Sequence, residues 1–255
     1  MAWDPKTYLK FDAERTRPAA ELLARIELET PAHVVDLGCG PGNSTALLAA
    51  RWPDADLEGV DSSPEMLAEA SQSKIRARWT EADIATWKPS SPRDVIFSNA
   101  TLQWVSDHKT LLPRLNSFVA PGGVFAFQVP RNFTEPCHTL IHAIAKNGPW
   151  APKLANVRDW WNVLEPEEYF RILEARASAI DIWETRYVQV LDGDDPVYRW
   201  MMGTGLRPFA NALEGKEREA FLEEYRRQVG LAYPREKSGV MLYPFQRLFC
   251  VARER

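Results

Sequence analysis

The stretch Val34-Val35-Asp36-Leu37-Gly38-Cys39-Gly40-Pro41-Gly42-Asn43-Ser44-Thr45 decides the fold. A short β-branched run that opens at His33 meets a glycine cluster, and a segment of helical character follows from Asn43 to Ala50. Glycines at a strand-to-helix turn let backbone approach a ligand with no Cβ in the way. The helix start behind them offers N–H groups without intrahelical partners. The spacing is G-x-G-x-G. The dinucleotide fingerprint G-x-G-x-x-G asks for a third glycine where Asn43 stands, which disfavours a nicotinamide oxidoreductase. Asp36 falls near the carboxyl end of the strand, the edge where open α/β sheets bind ligands. A carboxylate there repels a pyrophosphate and suits a cationic ligand.

Outward from this loop the chain alternates. Strands are expected at Asp56–Val60, Ile75–Trp79, Asp94–Ser98 and Val124–Val129, with helices between them, one over Lys109 to Phe118. A second helix opens at Ser62-Ser63-Pro64-Glu65. Ser62 with Glu65 fits a capping box, Ser63 with Pro64 fits a cap and first-turn proline, and both registers start a helix there. Short strands and helices in alternation imply a parallel sheet with helices on both faces. After Pro130 the rhythm breaks. Residues 131–176 read as a helical insertion or lid. A strand resumes over Ile180 to Val190, and 192–240 reads as a further helical insertion on the substrate side, with helices at Asp194–Met202 and Lys216–Val229. Gln246 to Ala252 is a last strand. Residues 1–30 are expected to form a helical cover on a single 1–255 domain.

Acidic residues recur at the strand ends. Asp61 closes the second strand, where a carboxylate can accept two ribose hydroxyls. Asp83 follows the third strand. It can accept an adenine amino hydrogen while Ile84 packs on the ring face. Asp36, the glycines, Asp61 and Asp83 thus mark three successive strand ends.

This arrangement resembles the class I S-adenosylmethionine-dependent methyltransferases. By motif the resemblance covers about the first 130 residues, and the strand from Gln246 fits that family's antiparallel last strand. It implies a Rossmann-like α/β fold with S-adenosyl-L-methionine as cofactor and S-adenosyl-L-homocysteine as product. It also implies a cofactor site of Asp36, Gly38, Gly40, Gly42, Asp61, Ser62, Met66, Asp83, Ile84, Asn99 and Ala100, with Ser98-Asn99-Ala100 beneath the methionine moiety. Trp3-Asp4-Pro5, Tyr8 to Phe11, Glu14 to Pro18, Phe97 to His108 and Leu242 to Ala252 are similar to the branch that esterifies trans-aconitate. Close relatives methylate other small carboxylic acids or a carrier-linked malonyl thioester, which stay open as acceptors. So does a non-catalytic module that binds the cofactor.

A carboxylate acceptor has a reference pKa near ~4, so it is ionised at neutral pH and needs no general base. No base dyad or triad is apparent, and no catalytic residue is assigned. Alignment of oxygen, methyl carbon and sulfur can supply roughly 7–11 kcal/mol. A polycarboxylate must leave water, and planar Arg forks match carboxylates best. Arg15, Arg131 and Arg207, the last in a glycine-rich turn, are the candidate cations, with Arg17 a further one beside Arg15. Tyr8, Trp104, Trp150 and Tyr243 are candidate walls.

The 255 residues carry 31 Lys plus Arg against 35 Asp plus Glu, a net charge of −4. That balance argues against non-specific nucleic-acid binding, so an anionic substrate needs a local cluster of cations. No run is apolar enough to span a bilayer, and the N-terminus lacks an apolar signal region. Three cysteines fit a reducing cytoplasm rather than a disulfide framework. A monomer or weak homo-oligomer is expected. Cys137, His138 and His142 do not form a zinc-protease motif, since Thr139 replaces its Glu, and no metal is expected. The charge run Glu214 to Arg227 reads as a solvated helix face, with Leu222 and Tyr225 marking its buried stripe. The aromatic, Arg-bearing N-terminal segment has no place in the sheet. Deleting residues 1–17 is expected to weaken both cofactor affinity and turnover; unchanged values would show that it does not close the site.

Overall fold

The computed structural model describes residues 12–157 and 162–255, with side chains from residue 16. Tyr8, the motif Trp3-Asp4-Pro5 and Trp160-Trp161 lie outside the described residues, as does the side chain of Arg15. In chain order the elements are α1 (Asp12–Ala24), β1 (His33–Leu37), α2 (Asn43–Arg51), β2 (Asp56–Asp61), α3 (Pro64–Ser71), β3 (Arg78–Glu81) and β4 (Arg93–Asn99). A single 3-10 turn (Leu102–Trp104), α4 (His108–Asn116) and β5 (Val119–Pro130) follow. Then come α5 (Pro136–Asn147), α6 (Ala151–Leu154), α7 (Pro166–Leu173), β6 (Ala177–Leu191), α8 (Pro196–Met202), α9 (Arg207–Asn211), α10 (Gly215–Ala232) and β7 (Met241–Glu254).

The sheet has seven strands in the order β3-β2-β1-β4-β5-β7-β6. The pairs among β1 to β5 are parallel, and β7 lies antiparallel to β5. Strand order reverses at β1. Right-handed crossovers therefore put α2 and α3 on one face and α4 on the other. The central strands are buried along nearly their whole length, as expected for a sheet covered on both sides.

The chain divides into two compact units. One comprises, among the described residues, 12–130, 162–185 and 247–255 and holds the parallel sheet. Its core joins Val35, Leu37, Val60, Ile96, Phe125 and Phe127 to Leu111 and Leu115 of α4 and to Tyr169 and Leu173 of α7. The other comprises, among the described residues, 131–157 and 186–246. There α5 buries Cys137, Ile141 and Ile144, and α10 buries Phe221, Tyr225 and Val229, each at helical spacing. The stripe of α10 thus runs through Phe221 rather than the half-buried Leu222. Its exposed side carries the i,i+3 pairs Arg226–Glu223 and Arg227–Glu224, which solvent screens and which add little to stability.

Local choices follow from side chains. Ser63 is the cap of α3: its Oγ accepts from the Met66 N–H and Pro64 takes the first turn, so the second of the two registers is the one formed. The third strand lies over Arg78–Glu81 instead of Ile75–Trp79. Glu58 of β2 sets it, accepting from Arg78 at 3.0 Å and from Thr80 at 2.9 Å while Glu58 registers with Arg78. Extending the pairing back to Ile75 would run past the start of β2.

His108 fixes the turn after β4. It is 2% exposed, with Nε2 2.7 Å from the Leu102 carbonyl and Nδ1 2.8 Å from the Tyr169 hydroxyl. A carbonyl can only accept, so Nε2 carries the hydrogen and neutral Nδ1 accepts from Tyr169. Burial lowers the imidazole pKa. The unfolded chain therefore binds the proton more readily, and stability falls as pH drops through about 6.5. Wild type is expected to lose more stability than His108→Phe between pH 7.5 and 5.5 in chemical denaturation. At pH 7.5 His108→Phe costs about 2 kcal/mol for the buried groups it strands. Parallel pH profiles would refute the assignment.

Candidate active site

The glycine loop is shaped by three left-handed positions, Gly38, Gly40 and Gly42, at φ 73°, 53° and 98°. The Val60 carbonyl accepts from both Gly38 and Cys39, at 2.7 and 3.0 Å, which ties the loop to β2. A Cβ at Gly38 would come within 2.0 Å of the Thr101 side chain, whereas one at Gly40 would meet nothing within 4 Å. The loop is therefore closed on the Thr101 side and open at Gly40, where a ligand can approach backbone. The Cys39 thiol is buried and its pKa pushed up by that burial, so it stays protonated.

Asp36 is wholly buried in β1. Its Oδ2 accepts from the Ser44 and Thr45 hydroxyls, both at 2.7 Å, and its Oδ1 has no partner. Burial outweighs the two hydrogen bonds and pushes the carboxyl pKa up to about 6. Asp61 ends β2 and braces the loop: Oδ2 accepts from Gly40 N–H and Oδ1 from Ser63 N–H, both at 2.9 Å. Each oxygen retains a second lone pair for a hydroxyl. Ser62 is exposed and Met66 half-buried at the start of α3. Asp83 is exposed just beyond β3 and accepts from Ala85 N–H at 2.8 Å. Ile84 is in the core, its carbonyl held by Arg114.

After β4 the chain turns sharply. Ala100 sits at φ 53°, a conformation that costs a non-glycine residue about 1 kcal/mol or more. Two contacts hold it: its N–H donates to the Gln128 carbonyl at 2.9 Å, and its carbonyl accepts from Gln103 Nε2 at 2.6 Å. Thr101 Oγ1 lies 3.1 Å from the carbonyls of both Gly38 and Asn99. Trp104 is 41% exposed on the turn that follows.

These positions bring the predicted cofactor residues to one edge of one unit, and they allow a test of fit. Asp36 Oδ1, Asn99 Oδ1 and Gln103 Oε1 are buried oxygens without a partner. All three can only accept. A ligand with an ammonium and a sulfonium would supply the missing donors and positive charge, so these residues fit S-adenosylmethionine.

The predicted substrate residues fall in both units. Trp104 stands at the edge just described. Arg131 is half-buried directly after β5, its N–H donating to the Gln246 carbonyl at 2.8 Å. Arg207 begins the short helix α9, half-buried, instead of lying in an irregular turn. Tyr243 is wholly buried in the core of its unit, with its hydroxyl 3.4 Å from Asn132 Nδ2 and from Cys137 Sγ. Trp150 is likewise in that core, donating to the Ile144 carbonyl at 2.7 Å. Among the described residues no three His, Cys, Asp or Glu side chains come together as a metal site.

Ser44, Thr45, Thr101, Gln103 and Gln128 were not singled out in the sequence. The hydroxyl pair directly behind the glycines was a signal available there: an acid near a strand end calls for donors on the first turn of the next helix.

Comparison with known proteins bears on the same segment. A family model described as a methyltransferase domain matches residues 11–177. A trans-aconitate 2-methyltransferase of Azoarcus sp. (strain BH72) is 48% identical over 250 residues, covering 98% of each chain. The chain belongs to the trans-aconitate 2-methyltransferase family. A member from Klebsiella pneumoniae (strain 342) is 45% identical over 252 residues, covering 99% of this chain and 98% of its own. The fold agrees as well. The crystal structure of the YcgJ protein from Bacillus subtilis superposes with a TM-score of 0.60 at 14% identity, covering 94% of this chain and 99% of that one. Haemonchus contortus phosphoethanolamine N-methyltransferase 2, in complex with S-adenosyl-L-methionine, gives 0.55 at 14%, covering 94% and 53%.

The raised Asp36 pKa sets a pH window. Cofactor affinity in wild type is expected to rise several-fold between pH 5 and 7, as Asp36 loses its proton. Asp36→Asn should bind at least tenfold more weakly at pH 7.5 and lose that slope. Calorimetry with S-adenosylmethionine checks both, and an unaltered slope in the variant would sink the role.

Proposed function

We propose that the protein transfers the methyl group of S-adenosylmethionine to one carboxylate of trans-aconitate, forming a monomethyl ester and S-adenosylhomocysteine. What carries the reading is near-complete, 45–48% identical alignment with trans-aconitate 2-methyltransferases. The sheet edge whose orphaned groups suit a cationic cofactor supports it.

The bound cofactor supplies an electrophilic methyl group. The chain's own residues bind and orient. Asp36, Asn99 and Ala100 meet the methionine part, the loop at Gly38, Gly40 and Gly42 admits it to backbone, and Asp61, Ser62 and Met66 hold the ribose side. Asp83 and Ile84 serve the adenine. Trp104 is the proposed wall of the acceptor, and Arg131 and Arg207 are proposed cations. With Arg15 they complete the proposed carboxylate partners, and Tyr8 and Tyr243 the proposed aromatic ones. The acceptor oxygen is ionised at neutral pH, so no residue needs to remove a proton, and rate comes from alignment in a dry site.

The enzyme is proposed to act in the cytoplasm as a monomer or weak homo-oligomer, with neither nucleic acid nor membrane as partner. No helix among the described residues is long and apolar enough to cross a membrane.

Mass spectrometry of products from trans-aconitate, cis-aconitate, citrate, isocitrate and a malonyl thioester tests the acceptor. The expected result is a monomethyl ester formed at least tenfold faster from trans-aconitate than from any other. Preference for another acid would move the substrate and keep the reaction class. Cofactor binding without any product would favour a sensor.

A further inference from the structure

Strand register places a second set of polar groups on the face that carries Asp36. Asp36 pairs with Phe97, Asn99 lies two residues further along the same strand, and Gln128 is opposite Asn99. Phe249 of β7 is opposite Gln128, and Arg247 lies two residues from Phe249. Side chains two apart in a strand share a face. Asp36, Asn99, Gln128 and Arg247 therefore project from one face toward one end of the sheet.

Gln128 and Arg247 are buried, at 0% and 3% exposure. Gln128 Oε1 accepts from Arg247 Nη1 at 3.2 Å, and Gln128 Nε2 is buried without a partner. That orphan is a donor, unlike the acceptor oxygens nearer β1. A guanidinium can serve an amide oxygen and a carboxylate at once, because its donors form a fork. The Gln128 backbone carbonyl also accepts from the Ala100 N–H, so the strand position that carries this pair anchors the turn after β4.

We propose that Arg247 and Gln128 form an anion subsite that holds a non-reacting carboxylate of the substrate and so selects for polycarboxylates. Arg247 supplies the charge, and Gln128 both orients the guanidinium and donates from Nε2. The inference rests on the methyl-transfer reading above and adds to it the residues that read the substrate's extra charge.

Two variants test it. Arg247→Lys keeps the charge and loses the fork. Gln128→Glu is nearly isosteric and places an internal carboxylate against the guanidinium, in competition with substrate. Each is compared with wild type by KM and kcat for trans-aconitate and for a dicarboxylate lacking one of its carboxyl groups, with S-adenosylhomocysteine affinity by calorimetry and thermal melting alongside. The expected result is a KM for the tricarboxylate raised tenfold or more in both variants, a KM for the dicarboxylate changed less than threefold, and cofactor affinity within twofold. Equal KM changes for both acids, or a loss of cofactor affinity that parallels them, would reduce the pair to a structural role and overturn the proposal. If Arg247→Lys fails to fold, Gln128→Glu decides alone. If wild type esterifies neither acid, the methyl-transfer reading fails separately. Calorimetric binding of trans-aconitate to the S-adenosylhomocysteine complex then decides the subsite: tenfold weaker binding to Gln128→Glu sustains it, and equal binding overturns it.

Discussion

Two hydroxyls on the first turn of α2 hold a carboxylate inside the sheet. Ser44 and Thr45 both donate to one oxygen of Asp36, which is fully buried. A buried carboxylate without such partners would be very costly, and even with them it is harder to ionise than a free one. This contact sets where α2 begins relative to β1, and hence how tightly the intervening glycines must turn. It also leaves the other oxygen of Asp36 without a partner. The acid is thus structural through one oxygen and available to a cation through the other.

The rest of the edge is fastened to this point through backbone. Thr101 bonds the carbonyl of Gly38, and its side chain occupies the space a Cβ there would need. Glycine at 38 is therefore required twice, by φ and by contact. Through Thr101 the turn after β4 is anchored to the loop after β1, and Gln103 and Gln128 then fix the strained Ala100. His108 completes the series by holding the carbonyl of Leu102 at the base of the same turn. Strain at Ala100 persists because two neighbours fix it, as expected where chain geometry serves a ligand.

Much of this was legible in the sequence because it is local. Strand, glycines and acid lie within a dozen residues of one another, and the strand ends near Asp61 and Asn99 follow from short apolar runs. What could not be read was pairing across long separations. The third strand shifted because Glu58, twenty residues away, chooses Arg78 as its register partner. Tyr243 reads as a pocket wall by residue type, and the partners of its hydroxyl, Asn132 and Cys137, lie more than a hundred residues off. Arg247 lay unmarked inside an apolar strand, since only the antiparallel register of β7 brings it to Gln128.

The division of polar groups along the edge matches the charge bookkeeping of the reaction. Methyl transfer from a sulfonium to a carboxylate converts a cation and an anion into two neutral groups. A guanidinium on the reacting carboxylate would stabilise a charge that the reaction removes, and would therefore raise the barrier. Donors that recognise a polycarboxylate are best placed on the carboxylates that do not react, which keep their charge throughout. Acceptors for the cation belong on the β1 side of those donors. Among the orphaned atoms, the oxygens at Asp36, Asn99 and Gln103 lie on the β1 side, and the nitrogen at Gln128 is on β5, opposite Asn99. Recognition and reactivity can then be strengthened independently, because the residues that would serve each are held by different strands.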